Sequence, residues 1–134
     1  MLSITLQQLK HDCGLACIAD IASRMGIVYD PYKSANTTMI TDRGLSIFDM
    51  KTILGDMGLR SLAVYCGIEE LNTDIPLPAI ILLNTHHYVV VVECNDNCIQ
   101  IMDPATGMSE LAYAELKDKW YIEGCTHGIL ICME

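Results

Sequence analysis

"HDCGLACIADIASRMG", residues 11–26, places two cysteines and an apolar stripe directly behind an aspartate. Leu15, Cys17, Ile18, Ile21, Ala22 and Met25 recur at helical spacing, Asp12 is a suitable N-cap, and Gly26 a suitable stop. The spacing predicts a helix that opens at Cys13. In that first turn the free N–H groups and the positive end of the helix dipole favour a thiolate. Cys17 falls one turn further on, within the stripe, and reads as a small buried residue.

Working outward, residues 27–44 combine Pro31, Gly44 and several Ser, Asn and Thr into a long polar connection, a length often reserved for functional loops. "GLSIFDMKTILGDMGL" (44–59) restarts a helix: Ser46 and Asp49 have capping-box spacing, and Ile47, Met50, Ile53, Leu54 and Met57 fill one face before Gly58. "LRSLAVY" (59–65) predicts a strand and "IEELNT" (68–73) a short helix. Beyond Pro76 the texture changes to β-branched runs, "AIILLN", "HYVVVVE" and "IQIMD", separated by polar turns, as in an antiparallel sheet. "AYAELKDKW" (112–120) predicts a helix and "GILICM" (128–133) a last strand; residues 2–6 predict a short extended lead-in. Helices followed by strands make an α+β fold, with N-terminal helices packed on a C-terminal antiparallel sheet.

The 134 residues suit one domain, 1–134, large enough for a real core. A 51% hydrophobic and 19% charged composition is that of a folded globular chain. A net charge of -9 with only eight scattered Lys and Arg excludes nucleic-acid binding, which needs clustered cations. The seven cysteines are odd in number and several lie inside apolar runs, so they read as reduced thiols, not a disulfide framework. Cys94 and Cys98 have C-x3-C spacing but lack a second ligand pair, so no zinc and no other metal or cofactor is expected. No stretch of 18 apolar residues and no signal-peptide pattern is present, which leads to the expectation of a cytoplasmic location.

A cysteine nucleophile needs an imidazole to share its proton and an acceptor to orient that imidazole. His87 begins one predicted strand and Asp103 closes the next, with "CNDN" as the turn between them. The hairpin so formed brings both to one end of the sheet. Cys, His and Asp in that order, at element ends, are what a papain-like site requires. His86 adjoins His87, and alternation along a strand would let only one of them face the thiol; residue chemistry alone leaves both open. His11 precedes the helix and reads as exposed, and His127, in a turn, as structural.

These motifs together resemble the peptidase C39 family, the double-glycine leader peptidases of bacteriocin export. The likeness runs through "QQLKHDCGLAC" (7–17), "GLS" with its helix, "PLPAIIL", "HYVVV", "DPATG" and the closing tryptophan, all in the family's order. The resemblance implies a papain-like fold with Cys13 as nucleophile, His87 as base, Asp103 as orienting acid and Gln7 as the oxyanion-hole donor, with Gln8 its neighbour in register. A single such donor is worth about 3 kcal/mol to a tetrahedral oxyanion. It further implies a precursor peptide with a helical leader, cut after Gly-Gly or Gly-Ala, and in many relatives the membrane and ATPase domains of an ABC exporter as partners. "GCTHGILICME" (124–134) resembles the passage of such a domain into its linker, and a free-standing peptidase would read the same. Some relatives lack the cysteine and only dock leaders. Cys13 is retained, so the expectation is an enzyme, not a docking module. Leu45, Ile47 and Met50 are candidates to line a leader groove, though each also suits the core.

Overall fold

The computed structural model describes residues 11–134. The expected lead-in at 2–6 and both Gln7 and Gln8 lie outside the described residues. The chain runs through α1 (Cys13–Arg24), α2 (Ser34–Thr37), α3 (Ile47–Asp56), β1 (Ser61–Cys66), α4 (Ile68–Thr73), β2 (Ala79–Leu83), β3 (His87–Cys94), β4 (Cys98–Asp103), β5 (Gly107–Ala112), α5 (Tyr113–Trp120) and β6 (Gly128–Met133). The strands form one six-stranded sheet in the order β1-β6-β2-β3-β4-β5, and every neighbouring pair is antiparallel.

Strand alternation divides the sheet's side chains between two cores. Ile80, Tyr88, Val90, Met102 and Ile131 point to one face, where they meet Leu15, Ile18 and Ile21 of α1 and Met50, Ile53 and Leu54 of α3. Ile81, Val89, Val91, Ile99, Ile101 and Leu130 point to the other, where Leu71 of α4 and Leu116 and Trp120 of α5 cover them. The N-terminal helices do pack on the sheet as expected. The second, opposite helix layer is the addition, made by short helices threaded between strands.

Both long helices stop as their glycines predict. Gly26 takes φ 69° and Gly58 φ 87°, and the next residue in each case donates back into the last turn, Ile27 to Ala22 O and Leu59 to Leu54 O. At the start of α3 the capping box forms: Ser46 Oγ accepts from Asp49 N and Asp49 Oδ2 accepts from Ser46 N. At the start of α1 Asp12 holds the N-cap position as expected, but its side chain does not cap. Asp12 has φ −104° and ψ 18°, not the extended backbone that aims a capping side chain at its own helix, and its carboxylate makes no cap. It is instead wholly buried and accepts a 2.6 Å hydrogen bond from the Tyr32 hydroxyl.

Strand β5 and the single-turn helix α2 are the elements that pattern reading omits. "GMSELA" has no β-branched residue, yet it pairs with β4 from Asp103↔Gly107 to Cys98↔Ala112. Pairing with a buried neighbour overrides propensity there. The connection at 27–44 is also more ordered than its composition suggests. Lys33 and the Tyr29 hydroxyl both donate to Asp56 at the end of α3, and Asn36 donates to Tyr29 and Pro31. That strap runs from the far end of α3 to Asp12, one residue before Cys13.

Candidate active site

Cys13 opens α1 and is buried to 8% exposure, with its Sγ 3.9 Å from the backbone oxygen of His86. Gly14 follows because nothing larger fits. A Cβ there would stand 2.7 Å from Met50 Sδ and 3.3 Å from a Leu45 methyl, so the glycine lets the first turn of α1 press against α3. The N–H groups of this first turn have no intrahelical acceptor, and they direct the positive end of the helix dipole at the thiol.

The β3–β4 hairpin supplies the other two groups. His87 starts β3, Asp103 ends β4, and His87 Nε2 lies 2.7 Å from Asp103 Oδ1. The same carboxylate oxygen accepts the Ala105 N–H at 2.8 Å, so the Asp-Pro turn fixes the acid before it meets the ring. With Nε2 engaged by Asp103, Nδ1 remains for the thiol. Hydrogen bonding to Cys13 is the largest influence on His87; with the Asp103 carboxylate it outweighs burial and lifts the imidazole pKa to about 9. The structure thus brings Cys13, His87 and Asp103 together, across 90 residues of chain.

The neighbouring candidates fall elsewhere. His86 is not on the strand: it sits in the turn before β3, exposed, with its ring hydrogen-bonded to the Asn84 carbonyl, so strand alternation does not separate it from His87. His11 is exposed at φ 62°, just before Asp12. His127 is exposed beside Thr126, 3.9 Å from Glu70. Cys17 is fully buried, and desolvation, followed by the proximity of Cys13, holds its thiol well above the ordinary range. Cys94 faces the α4 and α5 core with its thiol at Leu71 O, while the sulfur of Cys98 accepts from the Asn95 amide on the opposite face. Those two sulfurs diverge.

Two cavities adjoin here, and the thiol lines the first. One, of about 480 Å³, is lined by His11, Cys13, Asp42, Arg43, Gly44, Thr85 and His86. The adjoining one, of about 370 Å³, adds Leu45, Ile47, Asp49, Leu82 and Tyr88. Leu45 and Ile47 therefore reach a cavity wall, whereas Met50 is wholly buried in the core. Two tight turns form the facing rims: Thr41–Gly44, closed by a β-bridge, and Asn84–His86, in which Asn84 and Thr85 take φ 52° and 63°. A β-branched residue in the left-handed region is strained, and such strain concentrates where geometry is functional. Arg43, Thr85 and Tyr32 are the residues that sequence reading overlooked, and His86, weighed there only as a rival to His87, lines the cleft instead. The T-D-R-G turn was the available signal for Arg43. Nothing local points from Tyr32 to Asp12, twenty residues away.

Comparison with known proteins identifies the fold and the family. Among solved structures, a double glycine motif protease from an AMS/PCAT transporter, in complex with the leader peptide, superposes with a TM-score of 0.87 at 19% identity, covering 99% of this chain and 91% of that one. The peptidase domain of Streptococcus ComA, a bi-functional ABC transporter involved in a quorum sensing pathway, superposes at 0.83 with 18% identity over 99% and 98%. These likenesses establish the papain-like C39 peptidase-domain fold. In sequence, the lactococcin-G-processing and transport ATP-binding protein LagD of Lactococcus lactis is 32% identical over 90% of this chain, which spans 18% of that protein. The probable functional amyloid protease FapD of Pseudomonas aeruginosa is 24% identical over 85% of this chain, which spans 55% of that protein. The chain therefore corresponds to a part of these longer relatives. The peptidase C39 family model matches residues 1–126. With nearly the whole chain so matched and the fold in agreement, this protein belongs to the peptidase C39 family of cysteine peptidases.

Proposed function

We propose that the chain is a leader peptidase in which Cys13 is the nucleophile, His87 the general base and acid, and Asp103 the group that orients the imidazole. The observation that carries this reading is His87, tied to Asp103 at 2.7 Å and lifted to a pKa of about 9 chiefly by the Cys13 thiol. An imidazolium that persists at neutral pH is the partner of a thiolate. The Cys13 sulfur attacks the carbonyl carbon of the residue before the scissile bond, and the negative charge passes to its oxygen. N–H groups at the start of α1 lie at the thiol to receive that charge, and Gln7 is the expected side-chain donor beside them. His87 then gives its proton to the departing amine, leaving a thioester on Cys13. Water, deprotonated by His87, releases the acid and restores the thiol.

The substrate we propose is a precursor peptide whose helical leader ends in Gly-Gly or Gly-Ala; the likeness to a double glycine motif protease in complex with the leader peptide supports the leader and its Gly-Gly end. Two residues without bulk can thread between the Thr41–Gly44 and Asn84–His86 rims, and the apolar wall of Leu45, Ile47 and Leu82 offers a surface for leader anchors. Coupling to an ABC exporter, on the cytoplasmic side of its membrane, belongs to the same proposal. No helix among the described residues is long and apolar enough to cross a membrane. The test is incubation of the wild type and of Cys13→Ala with a leader peptide ending in Gly-Gly, followed by mass analysis. Cleavage after the pair by the wild type alone is expected; equal cleavage by the variant, or none by the wild type, would overturn the reading.

A further inference from the structure

The adjacent histidines at the thiol are held in opposite ways. His87 is tied through Nε2 to Asp103, and the Cys13 thiol is the largest influence on its ring. The His86 ring is fixed by one nitrogen alone: Nδ1 lies 2.7 Å from the Asn84 carbonyl oxygen. A carbonyl oxygen can only accept, so Nδ1 carries the hydrogen, and in the neutral ring Nε2 keeps its lone pair. The turn that carries the ring is itself tied down. Asn84 N–H donates to Lys119 O at 2.7 Å and His86 N–H to Leu83 O at 3.1 Å. His86 lines both cavities beside Cys13, and its own backbone oxygen is the atom 3.9 Å from the thiol sulfur. A rigid ring with one acceptor nitrogen therefore stands at the mouth of the cleft.

We propose that His86 is a substrate-binding, specificity-determining residue: its Nε2 accepts a backbone N–H from the small-residue pair before the scissile bond. The inference rests on the leader-peptidase reading and deepens it. Small residues leave their N–H groups unshielded, so an acceptor on the rim selects for them by contact as well as by the width of the slot. Arg43, on the facing rim and also lining both cavities, can only donate and is suited to the carbonyls of the same backbone. Asp42, beside it, and His11 are further acceptors on the cavity that holds Cys13, but both are exposed side chains with no fixed partner among the described hydrogen bonds.

The experiment compares wild type with His86→Phe, which keeps a flat ring and removes the nitrogens. Each is assayed on a Gly-Gly leader peptide and on two analogues in which one or the other glycine is N-methylated. Iodoacetamide alkylation of Cys13 reports on the thiol itself. The expected result is a KM raised about three- to tenfold with kcat within about twofold, the range of one neutral hydrogen bond. One of the two N-methyl penalties should shrink by the same factor in the variant, and alkylation should be unchanged. A variant with the wild-type KM and both penalties intact would overturn the contact. So would a parallel fall in alkylation and kcat, which would make His86 a support of the turn instead. Absence of cleavage by the wild type would strike the leader-peptidase reading, a separate outcome.

Discussion

The two faces of the sheet are packed by different rules. On the α4 and α5 face the core is apolar, and Trp120 seals it: the indole is 2% exposed and its Nε1–H donates to Ile129 O at 2.8 Å. On the α1 and α3 face lie Asp12, Asp20 and Asn36, the buried polar or charged residues among the described ones, together with the strained turns around the thiol. Buried polar groups and left-handed backbone each cost stability. Their concentration on the face that carries Cys13 sets it apart from a face built by packing alone. The difference can be broken by substitution, face by face.

The largest effect is expected at the site itself. Asp103→Asn keeps the shape of the acid but removes the charge that holds the imidazolium, and kcat should fall about 100-fold or more with KM little changed. The pH dependence sharpens this. His87 has its pKa raised in the folded state to about 9, so the ion pair and its contribution to stability are complete below the unfolded value near 6.5. Both are lost as pH rises through about 9. Wild-type activity should therefore decline on an alkaline limb near that pH, and in Asp103→Asn the limb should move to lower pH. A limb that stays in place would mean that Asp103 does not tune the ring.

The contrast between faces is tested most directly with two glycines. A Cβ on Gly128 would stand 2.5 Å from the Trp120 ring, which is fixed by its hydrogen bond and cannot give way. Gly128→Ala should cost about 3 kcal/mol of stability while kcat of the folded fraction is unchanged. A Cβ on Gly14 meets Met50 Sδ, the middle of a pliable side chain, so Gly14→Ala should cost less, about 1 kcal/mol. It would nevertheless displace the turn that mounts Cys13, and kcat should drop as well. Chemical denaturation with matched kinetics checks both. Equal losses of kcat from the two would erase the distinction between faces.

How far the sequence foretold this molecule depends on whether a feature is written in neighbouring residues. The capping box at Ser46 and the β3–β4 hairpin with its His and Asp at one end are local patterns, and each is where its spacing put it. Helix α1 also forms with Asp12 at its N-cap, but capping propensity is a local argument, and a hydroxyl twenty residues away takes the carboxylate. Strand β5 was hidden for a similar reason, because only its register with β4 makes it a strand. The cleft rims were hidden too. They are two turns, remote in sequence, that become one feature only when α1 and β3 pack side by side.

Asp20 allows the smallest and most specific test of the polar face. It lies on α1 two turns from Cys13, has no exposed side-chain surface, and accepts from Arg24 Nε, while its Oδ1 has no hydrogen-bond partner among the described residues. Burial raises its pKa, and the Arg24 hydrogen bond and charge offset only part of that. A carboxyl whose folded pKa lies above the unfolded one binds its proton more tightly when folded. Its contribution is therefore greatest below the unfolded value of about 3.9 and is lost as pH rises through the folded value. Asn at this position cannot ionise and still offers an oxygen to Arg24. Asp20→Asn should thus lie within about 1 kcal/mol of wild type at neutral pH. Its stability relative to wild type should improve as pH rises above about 4 and level off once the folded carboxyl has ionised, as the wild type is forced to bury a charge. Denaturant midpoints measured across that range check the slope, and an opposite slope would mean that the Arg24 pair outweighs the cost of burial, making Asp20 a net support of α1.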